Sequence, residues 1–268
     1  IDLDETIFAL DSTSISVSIN LAAWASGKYS RGAVKMHTLL DLRGNIPTFI
    51  HISDGTWHDS NVMDYIQFES NAVYTMDKAY VDLTALNKMD SIGAYFVTRA
   101  KSVMRYRIIE TMDTNEDGIL ADQLVMLTGH KSSRLYPKPL RIVQYRDAET
   151  NEELTFISNN MDISALDIAN IYRNRWQIEV FFKWIKQNMT VKRMWGYSEN
   201  AVRIHLWTAI ISYLLMAKIK ANLQTEYSIT EVARILGVSA LAKTPIRELL
   251  AKDQPIIENQ NVKELKLF

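Results

Sequence analysis

The 268-residue chain contains no cysteine. That excludes a disulfide framework, a thiol nucleophile and zinc held by cysteines, and it suits a cytosolic setting. No signal-peptide pattern opens the sequence, and it has no internal repeat and no low-complexity tract. Its longest apolar stretch, residues 206–219, is interrupted by Thr208, Ser212 and Lys218. That stretch reads as a buried helix too short to span a bilayer. Neither sign of charge dominates, the formal net charge being −1. With 47% hydrophobic residues the chain can build one sizeable core, or one core with an inserted subdomain. The first residue is Ile1 rather than methionine, in an acidic approach to a strand, so a preceding segment is expected.

Against this even balance one window stands apart. Residues 172–186, YRNRWQIEVFFKWIK, follow a helical pattern. At 100° per residue, Tyr172, Arg175, Glu179 and Lys186 fall within about 60° of one another, with Lys183 beside them. Ile178, Val180, Phe181, Phe182, Trp184 and Ile185 take the opposite side and would anchor the helix. From Tyr172 to Arg193 there are six cationic side chains (Arg173, Arg175, Lys183, Lys186, Lys192, Arg193) and one acid, Glu179. A solvated helix face is the alternative, but a local net charge of +5 suits a polyanion. A lone acid within such a surface repels its ligand unless a cation neutralises it, which calls for a divalent metal and for partner carboxylates elsewhere.

The order of elements shows where those partners lie. Residues 6–18 are rich in β-branched side chains and read as a strand with Asp11 in its middle. Strands over 33–42 and 46–52 follow, joined by a hairpin at Arg43-Gly44-Asn45. Asp59-Ser60-Asn61 is read as capping a short helix, the strand AVYTMD ends on Asp77, a helix covers 82–89, and a strand covers 94–100. Residues 101–159 form a β-rich insertion broken by turn residues. Helical periodicity resumes at Ser164, where Ser164 and Asp167 read as a capping box, and runs through the 172–186 stripe. A buried helix over 202–221 and a helical tail over 228–252 finish the chain. The expected segments are 1–100 and 160–222 as a split core, 101–159 as the insertion and 223–268 as the tail. If the strands bearing Asp11 and Asp77 are neighbours, under about 5 Å apart, their carboxylates can share a metal. An acid inside an apolar strand is otherwise costly.

These features together resemble the ribonuclease H-like catalytic domain of DDE transposases. The stripe is similar to the Y-x2-R-x3-E-x6-K signature of bacterial transposases of the insertion sequence four type, and LDST around Asp11 and MDKAY around Asp77 resemble the first and second acidic motifs. The similarity runs from about Thr6 to about Leu250. One departure is Ala79, where the second motif often has glycine; alanine takes positive φ less freely, so a different local loop is expected.

The resemblance implies an α/β fold, a ribonuclease H-like mixed sheet flanked by helices with a β-rich insertion before the last catalytic helix. It implies metal-dependent cleavage of DNA at transposon ends and strand transfer into target DNA. Asp11, Asp77 and Glu179 would bind two Mg²⁺ or Mn²⁺ ions about 4 Å apart. Tyr172, Arg175 and Lys186 would hold phosphates near the scissile bond, and Lys78, Lys183, Lys192 and Arg193 would contact the backbone. The expected partner is double-stranded DNA, bound by a homodimer in the bacterial cytoplasm at the nucleoid, with no membrane. A nuclease of the same fold, or a non-catalytic DNA-binding descendant, are the alternatives. In similar enzymes the insertion covers the site and presents an aromatic; Tyr106, Tyr136, Tyr145 and Phe156 are available, all better placed as core residues. Asp113–Gly118 starts like a calcium loop but has Leu124 where glutamate is needed. Residues 230–239 start like a helix-turn-helix whose second helix is interrupted by Pro245. His37 and the His58-Asp59 pair are assigned supporting or capping roles near the acids.

Overall fold

A computed structural model describes residues 5–17, 32–188, 196, 198–239, 241 and 243–250. Among these residues nine strands form one mixed sheet. Strands β1 (Ile7–Val17), β2 (Gly32–Asp41) and β3 (Ile46–Asp54) make an antiparallel meander. The β2–β3 turn places Asn45, not Gly44, in the left-handed region at φ 54°. Asparagine tolerates that conformation, so the turn does not need glycine there. Strands β4 (Val73–Met76) and β5 (Tyr95–Arg99) then add in parallel beside β1, linked by helix α1 (Leu83–Ser91), whose first turn is capped by Asp82.

The segment predicted as an insertion extends this sheet. It contributes β6 (Tyr106–Met112), β7 (Ile119–Leu127), the short helix α2 (Ser132–Leu135), β8 (Leu140–Arg146) and β9 (Glu153–Ser158). Since β9 pairs antiparallel with β5, the spatial order is β3-β2-β1-β4-β5-β9-β8-β7-β6. Residues 113–118 close the β6–β7 hairpin, with Gly118 at φ +80°, and serve as a turn.

Helices cover both faces of the sheet. Phe8, Leu10, Tyr74, Met76 and Phe96 bury one face against Leu86 and Met89 of α1 and against Val62 and Met63. Ile7, Val73, Val97 and Phe156 bury the other against Ala165, Ile168 and Ile171 of helix α3 (Ala165–Asn174), whose N-terminus is capped by Ser164. The alternation follows from the two-residue period of a strand. The expected ribonuclease H-like mixed sheet flanked by helices is therefore the fold. Contacts divide the chain into two compact units, residues 1–207 and 208–268.

Four local expectations need correction. The helix expected to run unbroken through 172–186 is two helices, α3 and α4 (Trp176–Asn188), with Arg175 between them. The backbone tightens there to three-residue hydrogen bonds, Arg175 N–H to Tyr172 O and Ile178 N–H to Arg175 O. Val180 is exposed rather than anchoring, while Ile178, Phe181, Phe182, Trp184 and Ile185 are buried as expected. Asp59 does not cap its 3-10 turn, residues Asp59–Asp64. Finally, helix α5 (Glu199–Leu223) is 25 residues long and apolar enough to cross a membrane by length and composition. It buries one face, including Val202, Leu206, Ala209, Ile210 and Tyr213, and exposes Ile204, Trp207, Ile211 and Leu215. In the tail, helix α6 (Ile229–Val238) carries a capping box from Ser228 and Glu231, but α7 (Ile246–Leu249) has only four residues where a recognition helix would be required.

One buried ion pair fixes the approach to α3. Arg141 and Asp122 are each 4% exposed and meet through two hydrogen bonds of 2.9 and 2.6 Å. The same guanidinium donates to the carbonyls of Asn160 and Ile163, in the loop that leads into α3. Removing the carboxylate would strand a buried cation and loosen that loop. Asp122→Ala is expected to lower unfolding free energy by about 3–5 kcal/mol, read from urea denaturation. A loss under about 1 kcal/mol would show that the pair does not hold this junction.

Candidate active site

Strand register brings three charged residues into line. Leu10 pairs with Met76 and Met76 pairs with Thr98, so the next residues on β1, β4 and β5 are Asp11, Asp77 and Arg99. All three continue the face on which Ile7, Val73 and Val97 meet α3. The α3–α4 junction lies over this row. There Arg175 donates from Nη1 to Asp11 Oδ2 at 2.8 Å and from Nη2 to Glu179 Oε1 at 2.8 Å. One guanidinium thus joins the acid of the first strand to the acid in the first turn of α4. Its carbon also sits 5.5 Å from the centre of the Tyr172 ring, close enough for a cation–π contact.

Asp77 caps the 3-10 turn Lys78–Tyr80 by accepting from Ala79 N–H at 3.0 Å. Ala79 is not among the described residues with positive φ, so this turn needs no glycine. Beneath it Tyr80 is buried, with its hydroxyl beside the Ser12 side chain. Burial pushes that hydroxyl's pKa up, and the charges of Asp11, Asp59 and Asp77 push it the same way. Burial likewise raises the Asp11 carboxyl to about 6. The Ser12 amide and Arg175 hold it down, and Asp77 and Glu179 push it up.

Two cavities flank the acids. One of about 440 Å³ is lined by Asp11, Ser12, Glu179, Lys183 and Lys186. The other, of about 750 Å³, is lined by Asp77, Lys78, Arg99, Lys101 and Tyr106.

This arrangement has relatives. Residues 2–215 match the transposase DDE domain family. The chain belongs to that family. It is 33% identical over 212 residues to y4zB of Sinorhizobium fredii, named as a transposase, covering 77% of this chain and 59% of that protein. It is 30% identical over 210 residues to a transposase named for an insertion sequence element of Geobacillus stearothermophilus, covering 77% of this chain and 55% of the relative. The chain therefore spans less than two thirds of the length of these relatives. The fold also matches the piggyBac transposase in a synaptic complex with hairpin DNA, with TM-score 0.54, 11% identity, and coverage of 93% of this chain and 58% of that one.

In this transposase domain the expected site residues fall into three groups. Asp11, Asp77, Tyr172, Arg175 and Glu179 come together, and Lys78, Lys183 and Lys186 line the adjoining cavities. Lys192 and Arg193 lie outside the described residues. Arg175, expected on phosphate, is engaged by two carboxylates. Hard carboxylate oxygens suit Mg²⁺ or Mn²⁺, and a cation already bridges two of the acids, so the donor set fits such a metal. Among the described residues, however, no three acidic or histidine side chains close on one point as they stand.

Arg99 and Lys101 were not singled out from the sequence. Their signal was TRAK at the end of a strand parallel to the one that leads into Asp77. Arg99 pairs with Glu152 at 3.0 Å, and Lys101 donates to the Val81 carbonyl at 2.7 Å. Of the insertion's aromatics, Tyr136, Tyr145 and Phe156 are buried as expected, and Tyr106 lines the larger cavity.

Asp59 supports the first acid from behind. Ser12 Oγ donates to it at 2.6 Å, Lys35 Nζ lies 3.2 Å away, and the Ser12 amide donates to Asp11 at 2.8 Å. His37, fully buried beside Asp59, bonds Ser53 through Nε2. Burial pushes its imidazole down to about 4, against the pull of Asp59. The unfolded chain takes up this proton near pH 6.5 while the folded one refuses it until about pH 4. Stability should thus fall as pH drops through that window. Asp11, raised to about 6, acts with the opposite sign between about pH 4 and 6. The stability of His37→Gln relative to the unaltered chain should therefore fall by on the order of 3 kcal/mol as pH rises from 4 to 6.5, read from urea denaturation at each pH. A difference that does not vary with pH would remove His37 as a source of pH dependence.

Proposed function

We propose that this chain is the catalytic part of a DNA transposase that cleaves phosphodiester bonds at the ends of a mobile element and joins the freed 3′-hydroxyls to target DNA. The observation that carries the reading is the register that sets Asp11 level with Asp77, with Glu179 tied to Asp11 through Arg175. Asp11, Asp77 and Glu179 would hold two Mg²⁺ or Mn²⁺ ions, which when bound activate a water or 3′-hydroxyl and stabilise the leaving oxygen.

The remaining residues position DNA. Lys183 and Lys186 serve one strand segment on the Glu179 side, and Lys78, Arg99 and Lys101 serve the other on the Asp77 side, so the strand crosses the acids between two cationic walls. Tyr172 donates its hydroxyl to a phosphate near Asp77 and Arg99, whose charges act on it. Lys192 and Arg193 extend this backbone contact, and Tyr106 offers its ring to a base at the larger cavity. The partner is double-stranded DNA, transposon end and target, held by a homodimer in the bacterial cytoplasm at the nucleoid. The solved relative captured in a synaptic complex with hairpin DNA supports a paired-end assembly.

Asp77→Asn and Glu179→Gln are expected to lose cleavage of duplex DNA by about a thousandfold or more while retaining binding at low salt. Cleavage at the unaltered rate in either variant would sink the assignment. Joining of a 3′-hydroxyl oligonucleotide to plasmid DNA separates this reading from a nuclease of the same fold, which cuts without joining. Arg99→Ala and Lys101→Ala should each weaken binding to duplexes of any sequence and flatten the salt dependence of affinity by about one unit of slope. An unchanged slope would place the DNA elsewhere.

A further inference from the structure

Arg175 is held where a phosphate ligand would be least available. Both of its terminal nitrogens are spent on carboxylates, Asp11 and Glu179, each at 2.8 Å, and its side chain is 14% exposed. Its Nε is buried with no partner. Arg175 and Asp11 are 164 residues apart in the chain, so this is a tertiary bridge between β1 and the start of α4. Asp11 is also pressed by the charges of Asp77 and Glu179. Two acids on neighbouring strands β1 and β4 and one in the first turn of α4 lie close enough to act on one another, and the guanidinium of Arg175 lies between two of them.

We propose that Arg175 is an exchangeable counter-ion. It occupies the charge-neutralising place among the acids until a divalent cation displaces it, and the displaced guanidinium then becomes the phosphate-binding group. The inference rests on the proposed metal site and adds its regulation. Two consequences follow from electrostatics. A guanidinium and a divalent cation compete for the same Asp11 and Glu179 oxygens, so the arginine weakens metal binding in the absence of DNA. Release of a planar fork that suits two phosphate oxygens makes DNA contact by Arg175 conditional on metal, and linkage makes metal binding tighter when phosphate captures the arginine. The domain thereby holds its acids together without metal and avoids carrying a loaded site before DNA arrives.

The test uses Mn²⁺ alone, titrated into the DNA-free chain and followed by electron paramagnetic resonance of the unbound ion. Arg175→Gln is expected to bind Mn²⁺ at least about fivefold more tightly than the unaltered chain, and Asp11→Asn to bind it more weakly. Because Arg175→Gln can disturb folding, the unaltered protein is also labelled with nitrogen-15 arginine and titrated with Mg²⁺. The slowly rotating side-chain signals of bridged Arg175 should shift and collapse on saturation. Equal or weaker Mn²⁺ binding in Arg175→Gln, or Mg²⁺ saturation with unchanged Arg175 signals, overturns the exchange while leaving the metal site standing. Mn²⁺ binding that Asp11→Asn does not alter, or its absence in every form, overturns the metal site and the exchange with it.

Discussion

The site depends on a hydrogen-bond register. Parallel pairing of β4 with β1 and with β5 sets Leu10, Met76 and Thr98 side by side, and their successors must then emerge together. A shift of one residue in either pairing would turn Asp11 or Arg99 to the face filled by α1. The greasy residues two and four positions earlier prevent that shift, because Ile7, Val73 and Val97 are buried against α3 on the side where the charged row appears. Core packing therefore aims the acids. The same core seats α3, and α3 delivers Arg175 and the first turn of α4 over the row.

Crowding of like charges would normally be avoided, and the surroundings show how it is tolerated. Asp11 is met by Arg175 and by the Ser12 amide. Ser12 is in turn fixed by Asp59, whose own charge is met by Lys35. Asp77 accepts an amide from the turn that follows it. Each of these carboxylates thus has a donor, with Ser12 linking Asp11 to Asp59 and Arg175 linking Asp11 to Glu179. Position 59 reads as a helix cap in sequence, but its partners lie on β1 and β2, far away in the chain, and tertiary hydrogen bonds prevailed over local capping.

Much of this was legible in the sequence for identifiable reasons. Period-two patterning exposed Asp11 as an acid within an apolar strand, and Asp77 at a strand end followed by a turn. Ser164 and Asp167 announced α3. The break at Arg175 was not legible, because neither proline nor glycine marks it and the 3.6-residue pattern continues across it. Arg99 was hidden for another reason: its importance comes from lateral register with Asp77, which no window along the chain contains. The apolar outer face of α5 was read as buried because hydrophobicity all round a helix is the usual mark of burial, yet Ile204, Trp207, Ile211 and Leu215 are exposed.

The spacing of the cationic residues has a physical meaning that their number alone conceals. Lys183 and Lys186 sit two and three turns beyond Arg175 on an exposed helix surface, and Lys78 and Lys101 are exposed on the opposite side of the acids. Flexible lysines on the outside are suited to following a polyanion of any sequence, since a point charge on a long stem tolerates variable geometry. The half-buried arginine at the centre has a planar fork that fits two oxygens at once, whether they belong to two carboxylates or to one phosphate. A lysine at 175 would satisfy one acid and leave the other to repel it. Placing a bidentate cation at the junction of two helices, and flexible lysines at the margins, separates holding the site together from holding the DNA against it.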